Sequence, residues 1–262
     1  MRTELVSEPG EPSRPNEDFA SLALPASGRG GALVLLDGVT PPRDGTGCRH
    51  SVHWFTARLG GALTELTVSL PDAPLAAVLS EAIGRTAEAH AHICDLSHPR
   101  TPQATVVLAR WTPERVAYLV LSDSVLLVES PDGKVTAVLD DRLARLPRTS
   151  LASDAIADAT VRNKEGGFFT AAADPSVAGR AVTGSLPRSR VRALAALTDG
   201  ATRWVEKFGA GDWTDCFSVV REEGPQSLID RVRHLERTDA TRRTYLRRSK
   251  THDDATVVLA EL

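Results

Sequence analysis

The stretch from Ala104 to Leu139 sets the period of the chain and narrows what it can fold into. It holds four short runs rich in β-branched and aliphatic residues: 104–111, 115–121, 125–128 and 134–139. Thr-Pro-Glu, Ser-Asp-Ser and Pro-Asp-Gly separate them. Runs of this length read as strands and the intervening triplets as turns, which predicts an antiparallel meander with hairpins. Upstream, residues 2–7 and 18–24 read as short strands around the turn-rich Ser7 to Asn16, and the apolar run from Gly31 to Asp37 reads as a strand buried on both faces.

Helices are grouped rather than interleaved with these strands. Val52, Phe55, Leu59, Leu63 and Leu66 share a helical face over about 49–67. A second helix is expected from Pro74, as a first-turn proline, to about Ile93. Residues 141–188 carry only a weak amphipathic pattern. Then come an apolar run into Asp199, helices near 201–208, 212–222 and 225–237, and a closing strand over 255–262. Grouped helices exclude a simple parallel βαβ sheet. The expectation is an α+β fold, antiparallel sheets with helices outside, in one domain spanning 1–262, since no repeat or linker interrupts it.

Charge narrows the partners. A formal net charge of −3 over 262 residues gives no general electrostatic reason to bind nucleic acid or a membrane. The run from Arg242 to Lys250 is locally basic, and its acidic surroundings make it a solvated loop rather than a binding patch. No stretch approaches the ~18–20 apolar residues of a membrane span, and Met1 to Pro9 lacks the apolar core of a signal peptide. Three cysteines without paired spacing argue against a disulfide framework. The expected location is the cytoplasm; the oligomeric state is not indicated.

Carboxylates stand at the strand ends. The run into Asp37-Gly38 is echoed by Arg192 to Thr198-Asp199-Gly200, and His252-Asp253-Asp254 leads into the closing strand. A lone Asp-Gly is best read as a turn opener, whereas three such ends point to one shared site. Crowded carboxylates repel one another unless cations lie between them. Hard oxygen donors suit Mg²⁺ or Mn²⁺, and paired ions of this kind hydrolyse phosphate esters.

With Asn16-Glu17-Asp18, Thr101 to Val107, Ser122-Asp123-Ser124 and Asp253-Asp254-Ala-Thr-Val-Val258 added, the order resembles that of the PPM-type, or PP2C-like, metal-dependent serine/threonine protein phosphatases. The resemblance runs from about residue 5 to 262 and implies a four-layer α/β/β/α sandwich of two antiparallel sheets flanked by helices. It implies that Asp37 bridges two ions, Mg²⁺ or Mn²⁺, that Gly38 lends a carbonyl, and that Asp199 and Asp253 complete the shell. Asp123, with Asp199, corresponds to a third ion's site in bacterial members. Glu17 and Asp18 would hold metal-bound waters. The implied activity is hydrolysis of phosphoserine and phosphothreonine in a phosphorylated protein substrate by a hydroxide bridging the ions.

Two departures stand out. Arg14 is the candidate phosphate anchor, through a guanidinium that can hold two oxygens, but it lies one residue nearer Glu17 than the family spacing. After Gly38 the chain continues Val39-Thr-Pro-Pro42 in place of small glycines, leaving the general acid open among water, His50 and His53. These departures keep an alternative alive: an inactive or weakly active PP2C-like module that binds phosphoproteins or regulates a partner. A rival metal reading groups Cys48, His50 and His53 with His90, His92, Cys94 and nearby His98 as a zinc site, although ordinary buried thiols and helix-end histidines account for the same residues.

Overall fold

A computed structural model describes residues 1–41, 45–242 and 250–262. Its strands are β1 (Arg2–Glu8), β2 (Phe19–Ala23), β3 (Gly31–Gly38), β4 (Ala104–Trp111), β5 (Arg115–Leu121), β6 (Val125–Glu129), β7 (Val135–Val138), β8 (Val182–Pro187), β9 (Ala193–Leu197) and β10 (Ala255–Glu261). The helices are α1 (Val52–Ser69), α2 (Leu75–Glu88), α3 (Arg142–Arg145), α4 (Asp154–Thr160), α5 (Asp199–Glu206), α6 (Trp213–Glu222) and α7 (Pro225–Arg242).

Among the described residues the strands form two five-stranded sheets, β1-β10-β9-β6-β7 and β2-β3-β4-β5-β8. Every pairing is antiparallel. The sheets stack face to face with helices on both outer surfaces, the expected four-layer sandwich. Side chains alternate across a strand, and β3 shows the result. Leu33 and Leu35 enter the layer between the sheets with Val107, Val120, Leu126, Leu194 and Val258. Val34 and Leu36 face outward onto Phe55, Leu59 and Leu63 of α1 and Leu79 and Ile83 of α2. On the opposite surface, Ala195, Leu197, Val257 and Leu259 pack against Trp204, Phe217, Leu228 and Val232 of α5 to α7. Burial on both faces explains why these strands read as continuous apolar runs.

The meander expectation needs correction. Hairpins β4–β5 and β6–β7 form, but they belong to different sheets, and Ser122-Asp123-Ser124 carries the chain between them. Ser122 turns with φ of 69°, its amide donating to Asp140 Oδ2 at 2.8 Å. Helix α1 starts later than expected because Ser51 caps it, its Oγ accepting from the Trp54 amide at 3.1 Å. Helix α2 stops at Glu88, and residues 89–94 continue as turns. Pro74 sits at its N-cap rather than inside the first turn. The weakly patterned 141–188 contains α3, α4 and the edge strand β8. Residues 243–249 of the basic run, and 42–44 of the loop after Gly38, lie outside the described residues. Among those described, no helix is long and apolar enough to cross a membrane.

Candidate metal centre

One end of the sandwich collects the carboxylates because of strand direction. There β3 and β9 finish, at Asp37-Gly38 and just before Thr198-Asp199, while β2 and β10 begin just after Asp18 and Asp254. The β5-to-β6 crossing brings Asp123 to the same end. Asp37, Gly38, Asp123, Asp199 and Asp253 line one cleft of about 310 Å³. Its walls include Thr40 and, from the poorly patterned segment, Leu143, Ala157, Arg162 and Phe168.

Hydrogen bonds tie these carboxylates across the two sheets. The Asp199 amide donates to Asp37 Oδ2 at 3.1 Å. Asp18 Oδ2 accepts from the Thr198 and Thr256 hydroxyls at 3.0 and 2.7 Å, and Thr198 Oγ1 in turn accepts the Thr256 amide at 2.8 Å. Asp254 receives the amides of Gly10 and Glu17 at 2.8 and 2.6 Å, one on each carboxylate oxygen, and so fixes the loop before β2. Asp253 is held by cations: Arg203 donates to Oδ2 at 2.9 Å and Lys250 to Oδ1 at 2.8 Å. Arg203 is itself anchored on buried Glu236 at 2.6 Å.

The two Asp-Gly pairs are not turns. Neither Gly38 nor Gly200 has a positive φ; one ends β3 and the other lies in the first turn of α5. What requires glycine is close approach. A Cβ on Gly38 would stand 2.5 Å from the Glu17 carbonyl oxygen, and one on Gly200 2.0 Å from that of Asp254. Each glycine lets the backbone of another ligand-bearing segment press against its own.

Burial and mutual repulsion dominate the electrostatics. Asp37 is pushed well above the ordinary carboxylate range, first by burial and then by Asp199, Asp18, Asp123 and Asp253. Asp199 rises to about 7 through burial and repulsion from Asp253 and Asp123. Asp18 rises to about 8, chiefly through burial. Asp123 and Glu17 also rise, burial again leading. Such a cluster gains from cations. The donor set is hard oxygen throughout, and Oδ1 of Asp18 is buried with no hydrogen-bond partner among the described residues. These residues fit divalent ions of the Mg²⁺ class.

Other expected residues fall elsewhere. Arg14 is exposed, pairs with Glu11 at 3.1 Å, and lines a smaller adjoining hollow with Glu17, Lys250 and Asp253. His53 binds the Asn16 carbonyl at 2.8 Å and His50 packs beside Cys48; neither lines the cleft. The sequence reading missed Arg203, Lys250 and Asp254 as partners of the site. Arg203 follows Asp199 by one helical turn, and Asp254 adjoins a named ligand, which are the only local signals.

The protein phosphatase 2C family model matches residues 12–237. Among solved structures the chain is similar to the serine/threonine phosphatase Stp1 from Staphylococcus aureus, at 13% identity and a TM-score of 0.61, covering 99% of this chain and 94% of that one. It is similar to the Mycobacterium tuberculosis serine/threonine phosphatase PstP/Ppp, at 18% and 0.57, covering 100% and 98%. It is also similar to RsbX, solved in complex with magnesium, at 11% and 0.52, covering 99% and 94%. At these identities the likeness is one of fold. No curated protein matches the chain by sequence. With the family model matching from the loop before β2 into α7, and both sheets arranged as in these phosphatases, the chain belongs to the protein phosphatase 2C family, hydrolases that depend on divalent metals and act on phosphorylated proteins.

Proposed function

We propose that the chain removes phosphate from phosphoserine and phosphothreonine in proteins, using divalent ions held where the two sheets meet. The observation that carries this reading is the convergence of Asp37, Asp123, Asp199 and Asp253 on one cleft. Asp37, the Gly38 carbonyl, Asp199 and Asp253 would hold two ions, Mg²⁺ or Mn²⁺, and Asp123 with Asp199 a third. Bound there, such ions supply a water nucleophile near neutral pH and offset charge on the phosphoryl oxygens. The Asp199 amide orients the Asp37 carboxylate, and the Thr198 and Thr256 hydroxyls orient Asp18. Glu17 and Asp18 would hold waters beside the ions. Arg14, exposed and paired with Glu11 beside the adjoining hollow, would hold two phosphoryl oxygens of the incoming ester. Solvent protonates the departing oxygen, because neither His50 nor His53 faces the cleft. Both sheets supply ligands, so residues 1–262 work as one catalytic unit.

The test is Mn²⁺-dependent hydrolysis of a phosphothreonine peptide by Asp37→Ala, Asp199→Ala and Asp253→Ala. Each should lose activity, and full activity in any folded variant would overturn the assignment. A second reading, a phosphoprotein-binding module, is favoured by one observation: Arg203 and Lys250 already occupy both oxygens of Asp253. Wild-type protein that binds a phosphopeptide tightly yet leaves an aryl phosphate intact in millimolar Mn²⁺ would select the module.

A further inference from the structure

On the α1–α2 side of the cleft, a second cluster of ligating atoms lies outside the carboxylate centre. Cys48 and His50 stand on the segment leading from β3 to α1; His90 and Cys94 stand in the turns after α2. One ligand atom from each lies within 4.8 Å of every other. Cys48 Sγ is 3.6 Å from Nδ1 of His50 and 3.6 Å from Nδ1 of His90, and Cys94 Sγ is 3.5 Å from His50 Nδ1. A tetrahedron with Zn–S of about 2.3 Å and Zn–N of about 2.0 Å has S···N edges of about 3.5 Å, as these distances require. The sulfurs are 3.0 Å apart, against about 3.8 Å across the same tetrahedron, so they separate slightly to admit an ion.

We propose that Cys48, His50, His90 and Cys94 form a structural zinc site that clips the β3–α1 loop to the end of α2. Two thiols give up their protons to solvent and the histidines bind as neutral imidazoles, so the two thiolate charges cancel that of Zn²⁺. That neutrality suits a half-buried position. The surroundings are those of a thiolate site. The His50 amide points at Cys48 Sγ from 3.4 Å and the Arg49 amide at Cys94 Sγ from 3.3 Å, donors that steady sulfur ligands. Trp54 stacks on His50 at 3.9 Å between centroids and leans on His90 at 5.2 Å, fixing both ring planes. The Asp95 amide donates to the Gly47 carbonyl at 2.8 Å, so the two segments are joined before any ion arrives. Four ligands from protein leave no open position, which marks a structural rather than a catalytic ion. The other histidines of the sequence reading, His53, His92 and His98, are not in the cluster.

The test uses Co²⁺ alone as the probe, added to fully reduced protein. Oxygen ligands at the carboxylate centre give no thiolate-to-cobalt charge transfer, so that absorption reports this site only. One equivalent of Co²⁺ should produce it together with the strong visible bands of four-coordinate cobalt, and Zn²⁺ should erase both. The signal should persist in Asp37→Asn and vanish in the Cys48→Ser/Cys94→Ser double variant. No charge-transfer band in reduced wild-type protein would overturn the proposal, as would its survival in the double variant. A Cys48–Cys94 disulfide that forms on exposure of the reduced protein to air with Zn²⁺ present would also overturn it. The wild-type spectrum decides even where the double variant fails to fold.

Discussion

The amide of Asp199 donates a hydrogen bond to the carboxylate of Asp37 at 3.1 Å, joining the end of one sheet's strand to the end of the other's. An Asn at position 37 keeps an acceptor for that bond and removes a buried ionisable group. Asp37→Asn and Asp199→Asn should therefore melt at a higher temperature than wild type near pH 8 with no divalent ion added. Both should lose the gain that millimolar Mn²⁺ gives wild type, and hydrolysis should fall by roughly a hundredfold or more. Calorimetry with and without Mn²⁺ checks this, and an unchanged Mn²⁺ shift would refute the ligand roles.

Stability of the protein without added divalent ions should fall as pH rises. Asp199 and Asp18 titrate at about 7 and about 8 when folded, against 3.8 for an ordinary aspartate. The folded state thus binds more protons than the unfolded one across that interval, which makes the slope of unfolding free energy against pH negative. Their contribution is full below about pH 4 and lost by about pH 8. Melting temperatures from about pH 5 to about pH 9 should decline in wild type, and less in Asp199→Asn. Millimolar Mn²⁺ should flatten the curve.

Lys250 competes with metal for Asp253. Its ammonium sits 2.8 Å from Oδ1 and places a positive charge beside any ion that oxygen coordinates. Lys250→Met keeps the aliphatic stem and removes the competitor, so half-saturation should come at several-fold lower Mn²⁺, read by titration calorimetry. Weaker Mn²⁺ binding would instead show that Lys250 helps to build the site.

Gly200→Ala places a methyl group 2.0 Å from the Asp254 carbonyl oxygen, a backbone atom that cannot rotate away. The segment carrying Asp253 and Asp254 has to shift, at a cost of about 1–3 kcal/mol. For a chain of this size that is a drop of roughly 2–4 °C in Tm per kcal/mol, together with weaker Mn²⁺ binding. Wild-type Tm and Mn²⁺ affinity would contradict the close-approach argument.

Some of this architecture is legible in the sequence alone, and some is not. The bounds of β4 and β5 were legible because both are apolar runs closed by turn formers. Strand β8 was not: it lies at a sheet edge, alternates exposed and half-buried positions, and contains Gly184 and Pro187. Ser122-Asp123-Ser124 has the chemistry of a hairpin turn, and only packing decides that β5 and β6 part there into separate sheets. Asp37 and Asp199 announced themselves by repetition, whereas the glycines beside them were needed for contacts that are invisible locally. Cys48 and Cys94 are brought together by the α1–α2 hairpin, a proximity that no local spacing encodes.

Strand β10 lies between β1 and β9, and Asp254 binds Gly10 and Glu17. During synthesis Asp18, Asp37 and Asp199 all leave the ribosome before residues 253–261 do. Until those residues appear, β1 has no partner strand, Asp18 lacks the Thr256 hydroxyl, and the loop before β2 has no carboxylate to hold it. A nascent chain therefore displays most of its acidic cluster before the contacts made by Asp254 and Thr256 can form. The order of synthesis thus places the tying of β1 and of the loop before β2 after the arrival of residues 253–261.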